Sequence, residues 1–314
     1  MPPVLISGLA GRTGYVFDID GVLLRGSVAL PGARESLELL TQRAVPWILL
    51  TNGGGEPEAT KAAKLSKILG THIDVEQVVL SHTPMRPLCA PLADSRVLIL
   101  GCRDVVGVAR SYGLRRAVTA RQLLEDEPSR YPFIEVAPGE RRRLPDRDEP
   151  IAAVMVLHDP NSWALEIQVA MDALRGSGSG RAQAVPYYAS NADLLFAAEY
   201  PAPRLAGGAF TVALRALWQA QHGGDVEVVQ FGKPTTRTFD FAIQQLSKWS
   251  GGDDFNSVFM VGDNPLSDIA GANAAGGPWQ SVLVRTGLFK GENDGRHPAR
   301  HVVDTVRDAV EIGQ

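Results

Sequence analysis

Short, almost uninterrupted apolar runs alternate with helical segments along this chain of 314 residues. The runs are Tyr15–Phe17, Pro46–Leu50, Val226–Phe231, Val258–Val261 and Ser281–Val284. Helical patterns lie between them, at Ala33–Ala44 and at Glu56–Leu69. Strands that are apolar on both faces are typical of a parallel sheet covered by helices on each side. The alternation therefore predicts an α/β fold built on a doubly wound parallel sheet.

The middle of the chain repeats the same alternation and predicts a second α/β unit. Apolar runs at Arg96–Leu100, Ile151–Leu157 and Val185–Ala189 are typical of strands, and Trp163–Leu174 has a helical pattern. The proline-rich and charged stretch Glu125–Pro150 is expected to be a long exposed loop. A length about twice that of one domain agrees with two domains.

Composition excludes several classes of protein. The 31 basic residues do not exceed the 35 acidic ones, so no nucleic-acid partner is expected. No apolar run approaches the ~18 residues of a membrane span. Two cysteines, Cys89 and Cys102, form no metal-binding or disulfide pattern, which favours an intracellular protein. No presequence is visible in the first fourteen residues, so a cytoplasmic or mitochondrial location is expected.

Polar residues follow the first two apolar runs directly. Asp18 and Asp20 end the first run, and alternate side chains of an extended segment leave on the same side. The second run leads into Thr51, Asn52 and Gly53, which offer a hydroxyl, an amide and backbone N–H groups suited to phosphate oxygens. In a doubly wound sheet the carboxyl ends of the strands line one crevice, where ligands bind.

Two later runs end in charged residues. Lys233 follows one, and Asp263 and Asp268 follow another. Four carboxylates and one lysine in one crevice have a net charge of −3, which a divalent cation would relieve. Oxygen ligands without clustered cysteine or histidine favour Mg²⁺. Together with a lysine and a threonine, such a site suits attack on phosphorus.

Each of these segments has an ordinary structural interpretation when it is taken alone. The first aspartate pair could belong to a turn, and the Thr51–Gly55 stretch could be a simple loop. The acids at 263 and 268 could be a helix cap and a surface residue. Four such segments, each after an apolar strand, favour one shared site over four coincidences.

The four segments together resemble the motifs of the haloacid dehalogenase superfamily of phosphohydrolases. They are DIDGV at Asp18–Val22, LLTNGG at Leu49–Gly54, Lys233, and GDNPLSD at Gly262–Asp268. The resemblance extends from Tyr15 to about Gly287 and implies a Rossmann-like core.

The resemblance also implies a role for each site residue. Asp18 is the nucleophile that forms an aspartyl-phosphate, and Asp20 protonates the leaving oxygen and then activates water. The transferring phosphoryl group is held by Thr51 and Lys233, with Asn52 and Gly53 beside them. The metal, Mg²⁺, is bound by Asp18, the main-chain carbonyl of Asp20 and Asp263, and is supported by Asp268.

The spacing of the motifs selects a subclass of the superfamily. Asp20 and Thr51 are 31 residues apart, whereas Thr51 and Lys233 are 182 apart, which leaves room for an inserted domain. This spacing resembles subfamily IIA, the C2-capped proteins similar to NagD and 4-nitrophenylphosphatase. We expect the core to comprise residues 1–78 and 205–314, and the α/β cap residues 79–204.

Two further segments resemble parts of this subfamily. Ser190–Leu195 followed by Leu205–Leu214 is similar to the family's return from cap to core, with Ala192 where proline is usual. Val156–Gln168 is most similar to the eukaryotic cat-eye-syndrome-critical-region branch. Within it, His158 and Asp159 either contact the leaving group from the cap, or Asp159 simply caps the following helix.

The predicted function is a Mg²⁺-dependent phosphomonoesterase that acts on a small, soluble phosphate ester through an aspartyl-phosphate. A phosphotransferase or mutase would use the same segments with an acceptor other than water. A third possibility is a binding or regulatory protein with the same fold and little turnover. Relatives often pair through the cap, so the resemblance implies a homodimer, while the residues themselves leave the oligomeric state open.

Overall fold

The computed structural model describes residues 12–176, 182–196, 200, 202–252 and 254–312. The first eleven residues, on which most of the presequence prediction rests, lie outside this part. The chain divides into two compact units. The first comprises segments 1–51, 58–80 and 232–314, and the second comprises segments 52–57 and 81–231.

The strands follow one another along the described chain in this order: β1 Thr13–Phe17, β2 Leu24–Arg25, β3 Val28–Ala29, β4 Trp47–Leu50, β5 Val78–Val79, β6 Val97–Leu100, β7 Ala117–Thr119, β8 Ala153–Val156, β9 Tyr187–Ala189, β10 Leu195–Phe196, β11 Arg204–Leu205, β12 Val228–Gln230, β13 Ser257–Gly262, β14 Trp279–Val284 and β15 His301–Val303.

The helices between them are α1 Ala33–Gln42, α2 Glu58–Leu69, α3 Arg86–Cys89, α4 Val105–Ser111, α5 Ala120–Asp126, α6 Trp163–Arg175, α7 Gly207–His222, α8 Thr236–Ser250, α9 Ala270–Ala275 and α10 Val306–Ile312. Within the described residues, none of these helices is both long enough and apolar enough to cross a bilayer.

The first unit is built on a six-stranded parallel sheet in the order β15-β14-β13-β1-β4-β5. Strands β1 and β4 are buried on both faces, apart from the half-exposed first residue of β1. Helices α1, α2 and α10 cover one face of the sheet, and α8 and α9 cover the other. This arrangement confirms the predicted doubly wound α/β fold and brings the carboxyl ends of β1, β4 and β13 to one edge.

The second unit contains a five-stranded parallel sheet in the order β12-β9-β8-β6-β7. Strands β6 and β8 are fully buried, as continuous apolar runs require. The stretch between α5 and β8 contains only short 3₁₀ turns, at 128–130 and 138–140, and most of its residues are exposed. This agrees with the long loop predicted at Glu125–Pro150.

The end of the second unit differs from the expected boundary. We expected the chain to return to the core at residue 205, whereas the second unit extends to Phe231. Helix α7 buries Phe210, Leu214 and Trp218 in the apolar core of the second unit. Strand β12 pairs with β9, with Val228 opposite Tyr187, and therefore extends the second sheet instead of the first.

Candidate active site

Asp18 and Asp20 follow β1 but differ in their surroundings. Asp18 is buried, and its N–H donates to the carbonyl of Val261 at 2.9 Å. Asp20 is exposed and forms a bridge with Leu24, so the backbone has already turned away from the strand direction. Gly21 makes this turn with φ +85°, in the left-handed region that favours glycine. The two carboxylates are therefore not both part of one buried cluster.

Lys233 lies between two of the predicted acids. Its Nζ is 2.8 Å from Asp18 Oδ1 and 2.6 Å from Asp268 Oδ1, and it also donates to the carbonyl of Leu50 at 3.0 Å. Only 2% of the Lys233 side chain is exposed. A buried ammonium group requires such compensation, because the desolvation of a charge is costly.

Asp263 and Asp268 follow β13, and backbone N–H groups fix both carboxylates. Asp268 Oδ2 accepts the N–H groups of Asp263 and Asn264, each at 3.1 Å. Asp263 Oδ2 accepts the N–H of Leu288 at 2.6 Å. Gly262 is needed here because a Cβ on it would collide with the Asp268 carboxyl group.

Asp18, Asp263 and Asp268 form a cluster that fits a divalent cation. Each offers a carboxylate oxygen, these oxygens lie within 4.8 Å of one another, and all three residues are buried. Three carboxylates and Lys233 have a net charge of −2 when all are ionised. Hard oxygen donors of this kind match Mg²⁺, which the sequence predicts. The Asp20 side chain lies outside the cluster, so only its main-chain carbonyl is a candidate ligand.

Burial and mutual repulsion change the pKa values of the cluster. Burial raises the pKa of Asp18 well above its usual range; Lys233 opposes this rise, while Asp268 and Asp263 add to it. Burial, with the charge of Asp268, raises the pKa of Asp263 to about 6. Burial alone would lower the pKa of Lys233, but Asp18 and Asp268 together raise it, so the ammonium stays charged. Without a cation, the negative charge of the three carboxylates thus exceeds the positive charge of Lys233.

Three of the four predicted phosphate-binding residues follow β4 and fall in different units, and the fourth, Lys233, lies in the first unit. Thr51 is buried in the first unit, directly after β4, and its N–H donates to the carbonyl of Val79 at 3.1 Å. Asn52 and Gly53 belong to the second unit. There the Asn52 side-chain amide donates to Asp193 Oδ2 at 2.9 Å, and the carbonyl of Gly53 accepts the N–H of Ser81 at 3.1 Å.

His158 and Asp159 lie in the second unit, after β8. The His158 ring packs so closely on Gly55 that a Cβ at position 55 would collide with it. Asp159 Oδ1 accepts the N–H of Gly207 at 2.7 Å, at the start of α7. The alternative interpretation, that Asp159 caps the helix that follows it, is wrong. Asp159 binds the start of α7, and at the start of α6 it is Glu166 that accepts the N–H of Ser162. A contact with a leaving group stays a prediction.

Sequence reasoning missed the segment after β14. Thr286 donates its hydroxyl to the carbonyl of Gly21 at 2.6 Å, and Leu288 donates its N–H to Asp263. The signal was available, because Thr286 and Gly287 follow the apolar run at Ser281–Val284 just as the other site residues follow theirs. Neither residue is charged, so a pattern of charged residues after apolar runs does not reveal them.

Two family models match the chain. One, described as haloacid dehalogenase-like hydrolase, matches residues 15–115, and the other, described as HAD-hydrolase-like, matches residues 230–309. Together they contain all the acids of the buried cluster and Lys233.

Known proteins resemble the whole chain. A mitochondrial hydrolase of Saccharomyces cerevisiae is 34% identical over 95% of this chain and 94% of its own length. The p-nitrophenyl phosphatase of Archaeoglobus fulgidus has a similar fold, with a TM-score of 0.70, 20% identity, and coverage of 96% of this chain and 100% of that one. The glycerol phosphate phosphatase of Mycobacterium tuberculosis in complex with magnesium has a TM-score of 0.65 and 23% identity. The match covers 95% of this chain and 76% of that one.

Proposed function

The chain belongs to the haloacid dehalogenase-like hydrolases and is a phosphatase, and from this premise we propose that it hydrolyses a small phosphate monoester with the help of Mg²⁺. The observation that carries the proposal is the buried cluster of Asp18, Lys233, Asp263 and Asp268 at the carboxyl edge of a parallel sheet. A buried carboxylate held by a lysine, beside other acids, is suited to covalent catalysis at phosphorus.

In the proposed first step, a carboxylate oxygen of Asp18 attacks phosphorus and forms an acyl-phosphate bond. The bond between phosphorus and the ester oxygen breaks, and Asp20 donates a proton to that oxygen as the alcohol leaves. The exposed position of Asp20 supports this role, since an exposed carboxyl group can exchange protons with substrate and water. Lys233 keeps Asp18 oriented through the ion pair between them.

In the proposed second step, Asp20 takes a proton from water, and the resulting hydroxide attacks the phosphorus of the aspartyl-phosphate. The acyl-phosphate bond breaks, which releases inorganic phosphate and restores the Asp18 carboxylate. Thr51 and the backbone of Asn52 and Gly53 are proposed to bind the phosphoryl oxygens. When bound, Mg²⁺ neutralises charge on the phosphoryl group; Asp18, Asp263 and the Asp20 carbonyl are its proposed ligands, with Asp268 behind them.

The proposed Mg²⁺ requirement is supported by the acidic cluster and by the magnesium-bound phosphatase of similar fold. The substrate is proposed only as a class, a small phosphate ester. His158 and Asp159 remain proposed contacts for its leaving group, and pairing of two copies remains a prediction.

The experiment that tests the function measures phosphate release from para-nitrophenyl phosphate, with Mg²⁺ and with EDTA. We expect release only with Mg²⁺, and its loss in the Asp18→Asn variant, which keeps the size of the side chain but removes the nucleophilic oxygen. Asp240→Asn is the matched control, because Asp240 is exposed on α8. Equal turnover by Asp18→Asn and Asp240→Asn would refute the assignment of the nucleophile. Hydrolysis in ¹⁸O-labelled water separates transfer to water from transfer to another acceptor.

We also propose a mitochondrial location for the protein. It is supported by the name of the similar Saccharomyces cerevisiae protein, a mitochondrial hydrolase. Immunoblotting of fractionated cells tests it, with enrichment in mitochondria as the expected result. Recovery with cytosolic markers alone would contradict it.

A further inference from the structure

The segment at residues 286–289 follows β14 and is hydrogen-bonded to the turn that carries Asp20. The Thr286 hydroxyl donates to the carbonyl oxygen of Gly21 at 2.6 Å. Arg25 Nη2 in turn donates to the carbonyl oxygen of Thr286 at 2.7 Å. These two contacts link residues more than 260 positions apart in the chain. The 286–289 segment is therefore hydrogen-bonded to the turn that carries Asp20 through two separate contacts.

The same segment also holds Asp263. The N–H of Leu288 donates to Asp263 Oδ2 at 2.6 Å, and the N–H of Phe289 donates to the main-chain carbonyl of Asp263 at 3.3 Å. With one carboxylate oxygen engaged by a backbone N–H, the side chain has a fixed orientation, and the remaining lone pairs are left for another partner.

Gly287 lies against the same carboxylate. A Cβ at position 287 would collide with Asp263 Oδ2. Its backbone is outside the left-handed region, so the requirement for glycine comes from this close approach and not from φ. A Cβ at Gly21 would collide with the same oxygen. The two glycines thus leave space for the Asp263 carboxylate, and a side chain at either position would collide with it.

The contacts of Gly21 also fix the carbonyl group of Asp20. The N–H of Gly21 donates to the carbonyl of Leu24 at 2.7 Å. In a planar trans peptide the preceding carbonyl points in the opposite direction from this N–H. Because Thr286 holds the carbonyl of Gly21 as well, both peptide groups flanking Gly21 are constrained.

We propose that the 286–289 segment is a positioning device for the divalent cation, with Thr286 and Gly287 as its essential residues. The segment binds the Asp263 carboxylate directly, and through the carbonyl of Gly21 it constrains the turn that carries the Asp20 carbonyl. These two groups are two of the three proposed Mg²⁺ ligands. This inference rests on the proposed Mg²⁺-dependent function. None of the residues 286–289 contributes a side chain to the metal or to the substrate in this proposal.

Equilibrium binding of Mg²⁺ to the whole protein, measured by calorimetry without substrate, tests the proposal. Thr286→Val keeps the shape of the side chain but loses the hydroxyl, whereas Thr286→Ser retains it. Thr60→Val makes the same change at an exposed position of α2. Gly287→Ala introduces the Cβ that would collide with Asp263. Circular dichroism and thermal unfolding in EDTA establish that each variant is folded.

We expect the Mg²⁺ dissociation constant to rise about 10- to 100-fold in Thr286→Val and Gly287→Ala, as is typical when a partner of a metal ligand is lost. Thr286→Ser and Thr60→Val should bind Mg²⁺ as the wild type does. Equal affinity of Thr286→Val and Thr286→Ser, or a wild-type protein that does not bind Mg²⁺, would overturn the proposal. If the predicted pattern of affinities is found but the wild type releases no phosphate, the proposed function fails and the positioning role stands.

Discussion

Lys233 is a buried ammonium group that two carboxylates share, and its surroundings explain its importance. Ion pairs at a protein surface contribute little to the free energy of unfolding, because water screens them. A buried pair behaves differently: when one partner is removed, the other is left as an uncompensated charge in a poor solvent. Removal of the Lys233 side chain takes the counter-ion from both Asp18 and Asp268.

We therefore predict that Lys233→Met lowers the free energy of unfolding in EDTA by about 3 kcal/mol at pH 7. Lys248→Met should lower it by less than about 1 kcal/mol, because Lys248 is 68% exposed in its pair with Glu76. Urea denaturation of the two variants and the wild type measures both values. Similar losses in the two variants would contradict the special role of burial at position 233.

The buried residues of the acidic cluster could be predicted from the sequence, and the role of the exposed Asp20 stays a prediction. Asp18, Lys233 and Asp263 follow apolar strands of one parallel sheet, and the geometry of such sheets brings strand ends together. The expectation that Asp18 and Asp20 face one space assumed an extended backbone. Gly21 turns the chain directly after Asp20, so the shared orientation of the two side chains stays a prediction.

At the scale of elements, the loop after β4, residues 52–57, belongs to the second unit and is hydrogen-bonded within it. The carbonyl of Gly54 accepts Arg103 Nη1 at 3.3 Å, and the carbonyl of Gly55 accepts the N–H of Asp104 at 2.8 Å. Asn52 is bound by Asp193, which lies in the segment that resembles the family's return from cap to core. A pattern of apolar strand and polar loop predicts this loop, but not the residues that hold it, because they are distant in sequence.

The hydrogen bond between Asn52 and Asp193 leads to a kinetic prediction. Asp193→Ala removes the acceptor, so the side chain of Asn52 and the loop beside Thr51 lose a fixed orientation. We expect KM for para-nitrophenyl phosphate to rise about tenfold, which corresponds to the loss of a hydrogen bond to a charged group. Asp193→Asn keeps the size of the side chain and one acceptor oxygen, so its KM should rise much less.

Steady-state kinetics with Mg²⁺ in excess measure the effect of the Asp193 variants. Asp148→Ala is the matched control, since Asp148 is exposed in the long loop of the second unit. An unchanged KM in Asp193→Ala, or an equal rise in Asp148→Ala, would show that this hydrogen bond does not support substrate binding.

At the scale of the whole molecule, the sequence predicts two α/β units but misplaces the boundary between them. Both units have parallel sheets, so an apolar run such as Val226–Phe231 fits either one. Which sheet it joins depends on pairing, and Val228 lies opposite Tyr187 in the second sheet. The class of fold follows from local sequence patterns. Which of two similar sheets a strand joins depends on contacts with residues distant in sequence, and a local pattern does not contain that information.

The acidic site also affects the stability of the whole first unit, in a direction opposite to ordinary acid denaturation. Asp263 has a pKa of about 6 in the folded protein against an ordinary value of 3.8, so between these pH values the folded state binds more protons than the unfolded state. In EDTA, the contribution of Asp263 to the free energy of unfolding should therefore increase by about 2 kcal/mol as the pH falls from 7 to 4. Urea denaturation of the wild type and Asp263→Asn across this range isolates the contribution as their difference. Saturating Mg²⁺ should flatten the difference between pH 6 and pH 4 by stabilising the ionised carboxylate, and a difference that falls with decreasing pH in EDTA would reject this account.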